Sequence, residues 1–150
     1  MEIQEVPNTK APIELLLEAD PSVEKIKAYL PRSKCFVAML QGEPVGAYVV
    51  QCIAPRVYEL MSIAVLPEHQ RKGIGSELLK HAVTTVRNMG ALRLEVGTGT
   101  FGYQLAYYQR EGFRVFAIEK DFFLVNYKEP IYENGIQLKD MLRLAVDYGQ

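Results

Sequence analysis

The run Gln70-Arg71-Lys72-Gly73-Ile74-Gly75-Ser76 holds the residues of this sequence best suited to gripping an anion. Gly73 and Gly75 lack a Cβ, so the main chain can bend sharply and come close to a bulky group. Ahead of them, Leu60-Met61-Ser62-Ile63-Ala64-Val65-Leu66 is short, largely apolar and stopped by Pro67, which predicts a buried strand. After them, Leu78, Leu79, Ala82, Val83, Val86 and Met89 repeat at the spacing of one helix face, and Gly90 stands where a C-terminal cap is expected. The first N–H groups of such a helix have no intrahelical partner, and the helix dipole adds partial positive charge there. With the cations of Arg71 and Lys72 at its mouth, the turn is a cradle for phosphate or pyrophosphate. There is no Gly-Lys-Ser/Thr, which excludes a P-loop, and the spacing is not the Gly-x-Gly-x-x-Gly of a dinucleotide fold.

Composition narrows the class. The 150 residues fit one domain with a proper core, 49% hydrophobic and 23% charged. A net charge of -1 argues against a protein that holds nucleic acid through a basic field. Cys35 and Cys52 lie in apolar strand-like runs and are expected to be reduced core residues. His69 and His81 have no partners at ligand spacing, so no metal is expected. No apolar run reaches the roughly 20 residues that span a bilayer, and Met1-Glu2-Ile3-Gln4-Glu5 lacks the basic and apolar parts of a signal peptide. The expectation is a cytoplasmic enzyme without membrane or nucleic-acid partners.

The elements that must position the loop follow from pattern. Met1 to Val6 predicts a short edge strand, Pro12 to Ala19 a helix, and Val23, Ile26 and Tyr29 a second one capped by Asp20 or Ser22. Cys35–Leu40 and Val45–Ile53 flank a hairpin turn at Gln41-Gly42-Glu43-Pro44 and lead into a strand over 57–65, three antiparallel neighbours. Leu92–Val96 is a strand parallel to its predecessor, because a crossover helix joins them. Thr98-Gly99-Thr100 is expected to start the next helix, closed by Gly112. Phe113–Ile118 is a strand, 121–134 is irregular and aromatic, and Gln137–Ala145 is the last strand. The sum is one mixed α/β domain over 1–150.

Gln70-x-x-Gly73-x-Gly75 after a strand ending at Val65 resembles the coenzyme-A signature of the GNAT superfamily of N-acetyltransferases. Tyr108-Gln109-Arg110-Glu111-Gly112-Phe113 is similar to that family's Tyr-x-x-x-Gly-Phe segment, and Gln104-Leu105 before it fits a variant of it. The resemblance covers roughly Val45 to Val115. It implies a central mixed, mostly antiparallel sheet, flanked by helices, whose two parallel strands splay into a V. Acetyl-CoA would be the cosubstrate, with no metal. Its pantetheine arm would pair with Ile63, Ala64 and Val65, and its pyrophosphate would rest on Arg71, Lys72, Gly73, Gly75 and Ser76, with Gln70, Ile74 and Gln104 completing the site. Many relatives carry an Asn near Thr98-Gly99-Thr100, where this sequence offers Thr98 and Thr100.

Acetyl transfer to an amine needs a base for the amine, a donor for the developing oxyanion and a proton for the departing thiolate. Strand alternation puts Glu59, Met61, Ile63 and Val65 on one face unless a bulge intervenes, and Glu59 matches the position of a glutamate base in some relatives. The resemblance assigns the general acid to Tyr108; helical phase alone does not separate it from Tyr107. The Val65 N–H is the expected oxyanion donor. The acceptor, a primary amine of a small molecule or peptide, would be held by the segments 12–30 and 121–134, the latter with Phe122, Phe123, Tyr127 and Tyr132. The acidic stretch Glu14, Glu18, Asp20, Glu24 points to a cationic amine. A homodimer through the last strand is expected. The competing reading is a non-catalytic acyl-CoA-binding or partner-binding module of the same fold.

Overall fold

The computed structural model describes residues 1–149. Its elements in chain order are β1 (Glu2–Val6), α1 (Ile13–Leu16), α2 (Val23–Tyr29), β2 (Ser33–Leu40), β3 (Glu43–Ala54), β4 (Val57–Val65), α3 (Ile74–Asn88), β5 (Arg93–Gly99), α4 (Tyr103–Arg110), β6 (Arg114–Glu119), α5 (Phe122–Asn126), β7 (Tyr132–Glu133), β8 (Ile136–Gln137) and β9 (Met141–Asp147). Seven strands form one sheet in the order β1-β2-β3-β4-β5-β9-β6, and β7 and β8 pair separately. Every neighbour in the large sheet is antiparallel except β4 and β5. This is the mixed, mostly antiparallel sheet the motifs implied.

Local chemistry sets the boundaries. The β2–β3 hairpin turns through Gln41 and Gly42, both at positive φ (51° and 79°), the left-handed pair that matches the twist of the flanking strands. Ser22 caps α2 by accepting from the Lys25 N–H at 3.2 Å, and Asp20 braces the cap by accepting from the Ser22 N–H at 3.0 Å. In α3 the apolar stripe Leu78, Leu79, Ala82 and Val86 is fully buried.

Helices cover the two sheet faces unequally. On one face α3 and α4 pack on Val45, Tyr48, Val50, Leu60, Leu94, Val96 and Leu144. On the other, α1 and α2 pack on Cys35, Val37, Ala47, Val49 and Ala64, so they shelter only the β2–β4 half. No helix among the described residues is long and apolar enough to cross a membrane.

Five expectations change. The stretch 121–134, expected to be irregular, holds α5 and β7. Thr98 and Gly99 belong to β5, because the ladder with β9 continues to the pair Gly99↔Met141; α4 starts only at Tyr103. Gln137 pairs in the small hairpin, and the last strand begins at Met141. That strand lies between β5 and β6, so its main chain is occupied on both sides and it offers no edge for a dimer. Cys52 is exposed, unlike the buried Cys35, because the end of β3 runs out past the core.

Candidate active site

The parallel ladder between β4 and β5 is three residues long: Val57↔Arg93, Tyr58↔Leu94 and Glu59↔Glu95. Beyond Glu59 the strands part, although β4 runs on to Val65 and β5 to Gly99. The Leu66 N–H donates to the Val45 carbonyl at 2.9 Å, and Gly46 faces Val65. By antiparallel alternation Ala64 then directs its peptide groups to β3, while Ile63 and Val65 turn theirs into the opening. Ala64 therefore adds a wall to the opening, not a main-chain partner.

At the end of β4, Gln70 Nε2 donates to the Val65 carbonyl at 3.0 Å, tying the loop to the strand. The chain then bends left-handed at Arg71 (φ 64°) and again at Gly73 (φ 83°). The first α3 hydrogen bond is from the Glu77 N–H to the Gly73 carbonyl, so the N–H groups of Ile74, Gly75 and Ser76 have no partner within the helix. A Cβ on Gly75 would meet the Tyr107 hydroxyl at 3.5 Å and a Val65 methyl at 3.8 Å, so the bare residue leaves the space between loop and α4 open.

A cleft of about 440 Å³ joins these parts. Ile63, Ala64, Val65, Gln70, Arg71, Gly73, Gly75, Ser76, Gln104 and Tyr108 line it, as do Tyr103 and Tyr107 from α4 and Glu18 and Ala19 from the α1–α2 connection. Two expected cofactor-binding residues are not in the lining, and neither is the expected base Glu59. Lys72 is exposed outside it, and the Ile74 side chain is buried against α3's core face, since the first helical turn must already present its apolar side to the sheet. Thr98 is 4% exposed, with its hydroxyl unpartnered among the described residues, and neither it nor Thr100 reaches the lining.

The two adjacent tyrosines differ in engagement. Tyr107 donates its hydroxyl to the Gly75 carbonyl at 2.6 Å, bolting α4 to the first turn of α3. Tyr108 is 5% exposed, packs edge-on to Phe113 and makes no side-chain hydrogen bond among the described residues, yet it borders the cleft. Burial pushes its phenol pKa well above the ordinary value, so it keeps its proton. Tyr103 stacks on Tyr107 with ring centres 5.9 Å apart and is largely exposed at the cleft mouth. The i, i+4 pair Tyr103–Tyr107 was the sequence signal for it.

Glu59 does not share a face with Ile63 and Val65. Val49 pairs with Ser62 and Val50 with Leu60, so Met61 is an extra residue in β4. This bulge shifts the alternation: Leu60, Ile63 and Val65 pack toward α3, and Met61 and Ala64 pack toward α1 and α2. Glu59 thus falls on the α1–α2 side of the sheet, opposite Glu95 at the last rung of the ladder. Arg143 of β9 reaches both carboxylates, Nη1 to Glu59 Oε2 at 3.1 Å and Nη2 to Glu95 Oε1 at 3.0 Å. The three side chains are 22%, 16% and 12% exposed for Glu59, Glu95 and Arg143. Burial opposes the charge on Arg143, but hydrogen bonding and attraction to Glu59, Glu95 and Glu119 outweigh it and raise its pKa. Sequence reading missed Glu95 and Arg143, which meet only through the sheet order.

Of the acidic stretch, only Glu18 borders the cleft. Asp20 accepts from the Tyr127 hydroxyl at 3.4 Å and Glu24 pairs with Lys128 at 3.9 Å, so these carboxylates join the α2 region to the segment after α5. Among the described residues no group of three or more His, Cys, Asp or Glu side chains is placed to hold a metal ion.

The sequence model of the acetyltransferase (GNAT) family matches residues 3–113. A protein of Bacillus subtilis, "Uncharacterized N-acetyltransferase YvbK", is 44% identical over 135 residues, 89% of this chain and 87% of its own. A solved structure described as "IAA acetyltransferase from Bacillus cereus ATCC 14579" superposes with a TM-score of 0.93 at 46% identity, covering 97% of this chain and 98% of that one. A GNAT family acetyltransferase from Elizabethkingia anophelis, solved with acetyl-CoA bound, superposes with a TM-score of 0.91 at 40% identity over 97% of both chains. Family match, identity along most of the chain, and a sheet that opens beside a glycine-bent helix N-terminus agree: this chain is an acetyltransferase and belongs to the GNAT family.

Proposed function

We propose that this enzyme moves the acetyl group of acetyl-CoA to a primary amine of a small molecule or peptide, with both substrates held together at the opening between β4 and β5. The observation that carries the reading is one continuous path. The main-chain groups of Ile63 and the N–H of Val65, turned away from β3, lead into three free N–H groups at the start of α3, behind a left-handed Gly73; the Val65 carbonyl is held by Gln70. That path suits acetyl-CoA, which has an amide-bearing arm to pair with an open strand edge and a pyrophosphate for a helix N-terminus. Arg71, Gly73, Gly75 and Ser76 would hold the phosphates, and Tyr103 and Gln104 would border them.

Each residue has its task. Glu59 takes the proton of the incoming amine, directly or through a water, from the α1–α2 side of the sheet. The amine nitrogen then bonds to the thioester carbonyl carbon as the carbon–sulfur bond breaks. The Val65 N–H, turned into the opening, donates to the carbonyl oxygen as charge grows there. Tyr108, which keeps its proton at working pH and has no competing partner, gives it to the departing sulfur and takes back the second proton that the new amide nitrogen sheds. Juxtaposition of donor and amine supplies much of the acceleration.

Titration calorimetry with acetyl-CoA tests the first half, and thiol release across an amine panel tests the second. The panel should include cationic amines, for Glu18 in the cleft wall; IAA, from the description of the Bacillus cereus relative, is run beside it as a separate acceptor. No binding at millimolar acetyl-CoA overturns the site. Tight binding with no thiol release from any amine favours the non-catalytic binding module.

A further inference from the structure

The sheet has two free edges, β1 and β6, and they are built differently. β1 presents Glu2, Gln4 and Glu5 as exposed residues, the charged guard that discourages strand addition. β6 instead exposes three large apolar side chains, Val115 (44%), Phe116 (47%) and Ile118 (61%), and pairs only with β9.

The register of β6 makes it complementary to itself. Val115 pairs with Leu144 and Ala117 with Arg143, so Phe116 is an extra residue. Val115 and Ile118 therefore lie opposite Leu144 and Leu142, on the α3–α4 face. Arg114, Ala117 and Glu119 lie opposite Ala145, Arg143 and Met141, on the other face. Phe116 joins that second face, where the Arg93 guanidinium sits 4.2 Å above its ring. Without the bulge, Arg114 and Glu119, five residues apart, would point to opposite faces.

We propose that two copies of this chain pair through β6, antiparallel about a two-fold axis between Phe116 and Ala117. A two-fold perpendicular to the sheet requires facing residues to lie on the same side. This register meets that condition at every rung: Arg114 opposite Glu119 of the second copy, Val115 opposite Ile118, Phe116 opposite Ala117. A slip of one residue in either direction sets Arg114 or Val115 against a residue of the wrong face. Arg114 and Glu119 are exposed and form no ion pair among the described residues, so both can reach the second copy, although Glu119 also attracts Arg143. The bulge interrupts regular main-chain bonding at the centre, so the charged ends and apolar side chains carry the contact.

Sedimentation velocity over a concentration series tests this. The wild-type chain is expected to dimerise. Reversing one charge, Arg114→Glu or Glu119→Arg, creates two symmetric repulsions and should weaken the dimer about tenfold or more. An equimolar mixture of the two variants should form a heterodimer, and the double variant R114E/E119R should recover self-association. Circular dichroism on each variant checks that it is folded. A wild-type monomer at several hundred micromolar, or a dimer indifferent to both reversals, overturns the proposal.

Discussion

Tyr107 and Tyr108 are neighbours in sequence with different duties, and substitution should separate them. Tyr108→Phe removes only a hydroxyl with no partner in the protein, so turnover should fall about a hundredfold or more while acetyl-CoA affinity is nearly unchanged. Tyr107→Phe cuts the 2.6 Å bond to Gly75 and should weaken acetyl-CoA binding instead. Steady-state kinetics with calorimetry reads both; unaltered turnover in Tyr108→Phe removes its role as acid. Arg143 is the second residue-scale case. Two carboxylates facing each other across a ladder repel; Arg143 bridges them, and Arg93 Nε also holds Glu95 at 3.1 Å. Arg143→Met leaves the largely buried Glu59 without an ion-pair partner among the described residues and should lower the melting temperature. Glu59→Gln should lower turnover about a hundredfold while acetyl-CoA affinity is nearly unchanged. Unaltered turnover in Glu59→Gln counts against Glu59 as base.

At the scale of elements, the loop joining β4 to α3 is set by two glycines with different needs. Gly73 sits at φ 83° with open space around it, so Gly73→Ala brings backbone strain of about 1–2 kcal/mol without a clash. Gly75 has ordinary backbone geometry and borders the cleft, so Gly75→Trp should abolish acetyl-CoA binding by filling it. Thermal melting and calorimetry together distinguish the outcomes: Gly73→Ala lowers the melting temperature, and Gly75→Trp chiefly loses binding. Normal binding in Gly75→Trp would contradict the cradle. The β3–α3 packing is tighter still. A Cβ on Gly46 would stand 2.7 Å from Leu78 Cδ1 and 3.1 Å from the Ala64 carbonyl oxygen, so Gly46→Val should destabilise the fold by roughly 1–3 kcal/mol.

For the whole molecule, acid stability has an identifiable contributor. Buried Tyr48 lies 2.6 Å from Nδ1 of His81, and burial lowers the His81 pKa below the ordinary value of about 6.5. The unfolded chain takes up that proton first as pH falls, so this stabilisation is complete above the unfolded value and fades as pH drops toward the folded one. The wild-type melting temperature should decline through that window, and His81→Gln should decline less. The loop, the α3 stripe and the hairpins were legible in the sequence because each is dictated by neighbours a few residues apart: glycine conformational freedom, helical period, turn chemistry. Those local patterns set the order of elements as far as β6 and the glycine-bent loop, but not α5 or the β7–β8 hairpin. Tertiary structure alone decided where β4 and β5 part, which side of the sheet Glu59 takes, and that Arg143, 84 residues away, grips it. One extra residue at Met61 reverses a strand's faces, and an inserted last strand chooses the free edge. Both are settled by pairing between distant segments, which no short stretch of sequence contains.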